Sequence, residues 1–445
     1  MVDCSLEQGL ASALARIGLP APQQLERLSG GANMESWRFT AGPETAVLRR
    51  APSLAMMAGR PMDHAGEAAL IRAAHVAGVM APEVLVELLP DDGIGSGYVM
   101  RAIPGSADPI AFLAEADPQL AIGDIARELV AVHNTDCSGL QIPVLDSAEA
   151  LAELRRRFLD YGGDRPILAL ALRWLEANLP QPPNPPRLVH GDFRLGNLMA
   201  AQGRITGVLD WELAHLGDWH EDLAFGCMAV WRFSRPDRPG YGLTTVEELA
   251  NAYEAAGGER FDPARFRFWT IYRTLWWALG CLQMGTFWRA GVDRSIERVV
   301  VARRTAEQEL DLLLLLEELA PEAERDRPLP PAAPPLEPGS GEPSGAEILT
   351  AVSEWLAAEV KPLVSGRGKF DLAVARNALG IVAREIEQRP AASDAALAAD
   401  LLAGRVDLSM PGLLARLRRM ALAKLAADMP KYPSLALARA RWEGI

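Results

Sequence analysis

The sequence predicts an α+β protein of two lobes, a small β-rich one followed by a larger helical one, with a separate small all-helical domain at the C-terminus. Three observations predict it. Strand-like runs, ESWRFT and TAVLRR, flank the turn AGPE within residues 25–50. Beyond residue 108 apolar positions recur at helical spacing, except in residues 188–212. The segment 321–345, PEAERDRPLPPAAPPLEPGSGEPSG, is too rich in proline and glycine to bury a core and reads as an extended spacer.

Taken in order, residues 1–103 form the N-lobe. Its two strands are followed by a helix around DHAGEAALIRAAHVAG and by further strands through VLVELL and GYVMRAI. Residues 104–320 form the helical C-lobe, and 321–345 the linker. In residues 346–445, Ile348, Leu349, Val352, Trp355 and Leu356 mark one helix face, and Leu372, Val374, Ala375, Ala378, Ile381 and Val382 a second. Pro411-Gly412 then precedes the basic helix LLARLRRMALAKLAADM. There is no internal repeat.

Composition narrows the function classes. A chain of 445 residues exceeds one compact core. Its 49% hydrophobic and 23% charged residues are those of an ordinary globular protein. With 45 basic against 58 acidic residues, a net charge of −13 argues against a generally basic nucleic-acid surface and leaves room for a local basic pocket that takes a phosphate. Cys4, Cys137, Cys227 and Cys281 form no C-x-x-C and fit a reducing compartment. The start MVDCSLEQGLASALARIG lacks a basic segment leading into an apolar one. The most apolar stretch, TLWWALGCLQMGTFW, is shorter than the ~20 residues that span a bilayer and reads as a core helix. The expectation is a cytoplasmic protein with no membrane partner.

The chemistry concentrates in residues 188–222, LVHGDFRLGNLMAAQGRITGVLDWELAHLGDWHED. His190, Asp192 and Asn197 stand in the pattern H-x-D-x-x-x-x-N, and Asp210 follows the apolar run ITGVL. Phosphoryl transfer to a hydroxyl needs an acceptor for the hydroxyl proton and metal ions that bridge nucleotide phosphates. Asp192 supplies the first. The amide oxygen of Asn197 and the carboxylate of Asp210 supply hard oxygen ligands suited to Mg²⁺. The runs RLV and ITGVLD are expected to carry these groups on a β-hairpin.

HGDFRLGNLM followed by VLDWE and GDWHEDLA resembles the aminoglycoside-phosphotransferase family of small-molecule kinases, which shares the bilobal protein-kinase-like fold. More narrowly it resembles the branch associated with acyl-CoA dehydrogenases. The resemblance implies Asp192 as catalytic base, Asn197 and Asp210 as metal ligands, and His190 and Asp218 as braces of the catalytic loop. It implies ATP and Mg²⁺ as cofactors. In LSGGANMESWRF, Gly30 and Gly31 mark a turn where backbone N–H groups approach phosphate. In AVLRR, Arg49 stands where a kinase places a phosphate-gripping lysine, with Glu67 as its helix partner. Backbone groups from Arg101 to Ile103 would meet adenine. Asp222 and His220 read as structural, and His64, His75, His133 and His215 form no spaced metal cluster.

Competing classes are weighed on the same residues. A pseudokinase scaffold would be favoured by loss of Asp192 or Asp210, and both are present. A protein kinase would follow Asp210 with an activation segment ending in A-P-E, whereas here LDWE leads directly into GDWHEDLA; an oxidoreductase would show a dinucleotide fingerprint, which does not occur. The acceptor region, MAVWRFSRPDRPGYG and FRFWTIYRTLWWALG, carries Arg232, Arg235, Arg238, Arg267 and Arg273 among aromatics. That mixture fits an anionic, partly apolar acceptor, a hydroxyacyl-CoA or a free hydroxy acid. An aminoglycoside or amino alcohol is the alternative, with Glu247 and Glu248 nearby. An acyl-CoA dehydrogenase is the expected docking partner of the C-terminal helices.

Overall fold

In the computed structural model, residues 4–28, 34–57, 59–331, 341–388 and 393–444 are described. The N-lobe is one antiparallel sheet of β1 (Gln23–Arg27), β2 (Glu35–Ala41), β3 (Glu44–Ala51), β4 (Val84–Glu87) and β5 (Ser96–Arg101), in the order β1-β2-β3-β5-β4. Strand alternation sorts its side chains. Leu48 of β3 and Val99 of β5 pack with Leu6, Leu10 and Leu14 of the helix Cys4–Ala15. The next residues along, Arg49 and Tyr98, face the opposite side, where the helix His64–Val76 lies. Asp63 caps that helix by accepting from the Gly66 N–H.

Most of the remainder is helical. Three C-lobe helices begin with Asp-Pro: Asp108, Asp117 and Asp262 each accept from the first free N–H groups, and proline follows at a position that has no N–H to lose. The last of these, Pro263–Arg289, contains the most apolar stretch of the chain and buries Leu275, Ala278 and Leu279 in the C-lobe core. Among the described residues no helix is long and apolar enough to cross a membrane.

Between these helices lie β6 (Arg187–Val189), β7 (Leu198–Ala201), β8 (Arg204–Val208) and β9 (His215–Gly217). RLV and ITGVL do not form the expected hairpin with one another. β7 pairs β8, and β6 pairs β9 outside it. RLV is separated from its presumed partner by the catalytic loop, and the tight turn at Gln202-Gly203 joins β7 to β8 instead. Arg204 anchors the inner hairpin by pairing with Asp124 of the helix Pro118–His133 at 2.6 Å.

The C-terminal segment is helical as expected, but it is not separate. Leu397, Leu401, Leu414, Leu417, Leu425 and Leu435 share one hydrophobic cluster with Leu310, Leu313 and Leu316 and with the long C-lobe helix. The helix Thr305–Leu316, TAEQELDLLLLL, is enclosed on both sides, which is why it is apolar nearly all round. Buried polar pairs cross the junction: Arg418 with Glu317 at 2.5 Å, and the Tyr432 hydroxyl donating to Asp311 at 2.6 Å. The start of the expected spacer is also folded. The helix Glu322–Arg325 places Glu324 to accept from the Gly412 N–H at 2.7 Å, and the Arg325 carbonyl accepts from Arg418 at 2.7 Å. The C-terminal helices carry too few apolar residues for a core of their own and take cover against the C-lobe.

Candidate active site

A cleft of about 1060 Å³ separates the sheet from the loop 190–197. Asp192, Asn197, Asp210, Arg49, Arg101 and Ile103 all line it.

The loop is held by its own backbone and by two buried side chains. Gly191 has φ +79°, and an added Cβ there would collide with the Leu213 carbonyl, so the H-G-D turn requires glycine. His190 accepts the Asp192 N–H on Nδ1 at 3.2 Å and donates from Nε2 to the Leu209 carbonyl at 3.0 Å. Burial pushes its pKa down, which keeps it neutral with one donor and one acceptor. Asp222 accepts from the N–H groups of His190 and Gly191 at 2.7 and 2.9 Å. Burial alone would raise this carboxyl, but the His133 hydrogen bond and neighbouring His190 hold it below its ordinary range.

Asp222 is therefore the brace beneath the loop, and Asp218 is not. Asp218 accepts from His220 Nδ1 at 2.7 Å and from Arg265 at 2.7 Å, away from the loop. The two acids lie one helical turn apart, and His220–Cys227 carries only the second toward residues 190–191. The pattern D-x-x-x-D alone does not choose between them.

On this platform Asp192 faces the cleft with 15% of its side chain exposed. Asn197 donates from Nδ2 to Asp192 Oδ2 at 2.7 Å and to the Asp192 carbonyl at 2.9 Å. That fixes the amide so that its oxygen remains as the acceptor. Burial pushes the Asp192 carboxyl up to about 6, against the opposing pull of Arg194 and with help from the nearby Asp210 charge. Asp210, just beyond β8, has φ +70°, a conformation costly for an aspartate and characteristic of functional turns.

Opposite stands Arg49 of β3. It pairs with Asp210 at 2.7 Å and Glu212 at 2.9 Å, and its Nε lies 3.5 Å from Glu67. Burial works against its charge, but Asp210 and Glu67 raise its pKa well above the ordinary value. Glu67 is fully buried behind Arg49 and accepts from the Tyr98 hydroxyl at 3.0 Å. It positions Arg49 rather than lining the cleft. Arg101 lines the cleft, but its side chain is tied to Glu83 at 2.9 Å and to Glu44. Gly30 and Gly31 lie outside the described residues.

Four residues join the site without having been singled out. Glu212, two positions after Asp210, bridges Arg49 and Arg60, each at 2.9 Å. Arg194, between Asp192 and Asn197, donates to Asp192 Oδ1 at 2.9 Å. Arg298 reaches the cleft from the helix Ile296–Arg303. Glu212 and Arg194 had a signal in their closeness to motif residues; Arg60 and Arg298 had none.

The acceptor-region arginines are placed differently from expectation. Arg232 donates to the Cys227 carbonyl, Arg235 to that of Leu113, Arg238 to that of Leu243 and Arg267 to that of Leu315. Arg273 is buried against Glu221. None of the five lines the cleft. Of the acceptor-region aromatics Trp277 reaches it, as a wall residue beside Met284 and Val301.

Asn197 Oδ1, Asp210 and Glu212 offer an all-oxygen donor set, which fits Mg²⁺ better than a softer ion.

The family model described as the phosphotransferase enzyme family (APH) matches residues 24–269. Acyl-CoA dehydrogenase family member 10 of Mus musculus is 29% identical over 259 residues, 52% of this chain and 24% of that protein. Acyl-CoA dehydrogenase family member 11 of Homo sapiens is 36% identical over 99 residues, 20% of this chain and 13% of that protein. The chain spans a quarter or less of the length of these two relatives. A solved structure of a thermostable mutant of aminoglycoside phosphotransferase APH(4)-Ia aligns with a TM-score of 0.48 at 20% identity, covering 71% of this chain and 99% of that one.

Proposed function

We propose that this chain, which belongs to the phosphotransferase enzyme family, transfers the γ-phosphoryl group of ATP to a hydroxyl of a small molecule. The observation that carries the reading is the convergence of Asp192, Asn197, Asp210 and Arg49 on one cleft. Asp192 takes the acceptor's hydroxyl proton as the oxygen attacks the γ-phosphorus. The bond from that phosphorus to the β–γ bridging oxygen breaks, and ADP leaves. A raised carboxyl suits this work, because a base with pKa near the working pH both accepts and releases the proton.

Asn197 Oδ1 and Asp210, with Glu212 beside them, would hold Mg²⁺, which neutralises phosphate charge when bound. Arg49, braced by Glu67, grips phosphate oxygens. The backbone at Arg101–Ile103 receives the adenine.

The acceptor is proposed to be a hydroxyacyl-CoA or its hydroxy acid. Trp277, Met284 and Val301 offer an apolar wall, with Arg298 as a cation on the same cleft. The relatives named acyl-CoA dehydrogenases support an acyl substrate. Glu297, also on that wall, favours a second reading in which an amino group is recognised, as in an amino alcohol or aminoglycoside. ATP consumption against hydroxyacyl-CoAs, hydroxy acids, aminoglycosides and amino alcohols separates the two. Turnover confined to cationic acceptors would overturn the acyl assignment and leave phosphotransfer intact.

A further inference from the structure

The cleft carries a cation that the reaction outlined above does not use. Arg194 donates from Nε to Asp192 Oδ1 and lies over the Trp231 ring, 4.6 Å from its centroid. Among the described residues its Nη1 and Nη2 have no hydrogen-bond partner, and the side chain lines the cleft with 24% exposure. Its neighbours fix that pose. A Cβ on Gly196 would collide with Nη1, so the glycine leaves the space the guanidinium fills. Trp231 in turn packs on Trp277 at 5.7 Å and Phe225 at 6.2 Å, beside the buried cluster of Phe225, Met228 and Val230.

We propose that Arg194, clamped on Trp231, is an oxyanion-binding residue that ligates the phosphoryl group in transit beside Asp192. The proposal rests on the phosphotransfer reading. The hydroxyl that Asp192 deprotonates must lie about 2.6–3.2 Å from its carboxylate. That same hydroxyl oxygen forms the new bond to phosphorus, so the phosphoryl oxygens pass close to a guanidinium already bonded to Asp192. Asp192, Asp210 and Glu212 repel those oxygens, and Arg49 is engaged by two of these carboxylates. A planar fork with two unused nitrogens on the side of the base offsets that repulsion. It gains and loses no proton; the proton goes to Asp192 and the electron pair of the broken bond leaves with ADP. The aromatic face holds the cation in place at little cost in solvation.

A carboxylate of the acceptor has the same chemistry, and the test separates the two. Binding of Mg²⁺-ADP is measured with and without aluminium fluoride, a mimic of the phosphoryl group in transit. The proteins are the wild type, Arg194→Ala, Arg194→Lys and Trp231→Leu, with melting temperature as the folding control. Aluminium fluoride should tighten ADP in the wild type. Arg194→Ala should lose about 10- to 100-fold of that tightening, with binding of ADP alone unchanged. Arg194→Lys should keep part of it, and Trp231→Leu should fall between. Full tightening in Arg194→Ala overturns the proposal. So does a KM increase confined to 3-hydroxybutyrate over a neutral alcohol with tightening intact, which would assign the oxyanion to the acceptor. A wild type indifferent to aluminium fluoride would instead strike at the phosphotransfer reading.

Discussion

Arg49, Arg60 and Arg194 differ from Arg232, Arg235, Arg238, Arg267 and Arg273 in what they face. The first group meets carboxylates of the cleft: Asp210 and Glu212 for Arg49, Glu212 for Arg60, Asp192 for Arg194. In the second group Arg232, Arg235 and Arg238 end on main-chain carbonyls, Arg267 on the Leu315 carbonyl and Glu318, and Arg273 on the buried Glu221. Both groups make charge-assisted hydrogen bonds. The difference is in the acceptor. The second group's acceptors, carbonyls and carboxylates alike, lie off the cleft, so those arginines hold the fold. A carboxylate that a metal or a phosphate can engage instead makes an exchangeable partner, so the first group is poised for a ligand.

The largest expected effect breaks the first group. Arg49→Met should lower kcat/KM for ATP by about 10²–10³-fold, as the loss of a charge clamp does. Its melting temperature should fall only modestly, because Glu67 keeps the Tyr98 hydroxyl as a donor and Asp210 and Glu212 reach solvent. Arg273→Met should do the opposite. It strands Glu221, which keeps only His215 at 3.2 Å, and costs about 3 kcal/mol of stability while kcat per folded molecule is unchanged. Steady-state kinetics and thermal unfolding of both variants check the pair.

The sequence made the first group legible only where a motif fixed the position. Asp192, Asn197 and Asp210 lie within a short span whose spacing is set by one loop and one hairpin, and the structure brings them together. Arg49 and Glu67 come from different elements, yet strand alternation and one helical face lead them to each other. The second group was misread because a guanidinium's reach exceeds what local pattern encodes, and nothing in MAVWRFSRPDRPGYG says which carbonyl lies nearby. The C-terminal helices failed for a related reason. Their heptad-like leucines announce burial but not the surface that covers them, and that surface is DLLLLL of the helix Thr305–Leu316. Asp222 was hidden by its neighbour Asp218, since only the helix orientation distinguishes them.

Smaller effects sharpen the account of the cleft. Asp210→Ala should weaken Mg²⁺-dependent nucleotide binding by roughly tenfold or more and Asn197→Ala by less, because a carboxylate binds a divalent cation more strongly than an amide. A magnesium titration of both variants checks the order. The pH profile of kcat/KM should lose activity as pH falls through about 6, because Asp192 must be ionised to take a proton. The sign for stability is reversed. A carboxyl whose folded pKa lies above its unfolded value binds its proton more tightly when folded, so stability declines as pH rises from about 4 to 6. Calorimetry across this range checks it, with the slope expected to vanish in Asp192→Asn, which does not titrate.

The smallest expected effect concerns the C-terminal helices. Protease nicking within 341–344, which is largely exposed, should leave the two pieces co-eluting on gel filtration because the hydrophobic cluster spans them. Release of a free helical fragment would contradict the shared core.

The chemistry proposed for the cleft is phosphoryl transfer from ATP to a hydroxyl with Asp192 as base. Phosphorus NMR of a reaction containing ATP, Mg²⁺ and the best acceptor from the panel tests it directly, run with the wild type and with Asp192→Asn. A new phosphate-monoester signal should grow with ADP in the wild type, and about 10²–10⁴-fold more slowly in a variant that still binds ATP. An ester that forms at the same rate in both proteins would contradict it.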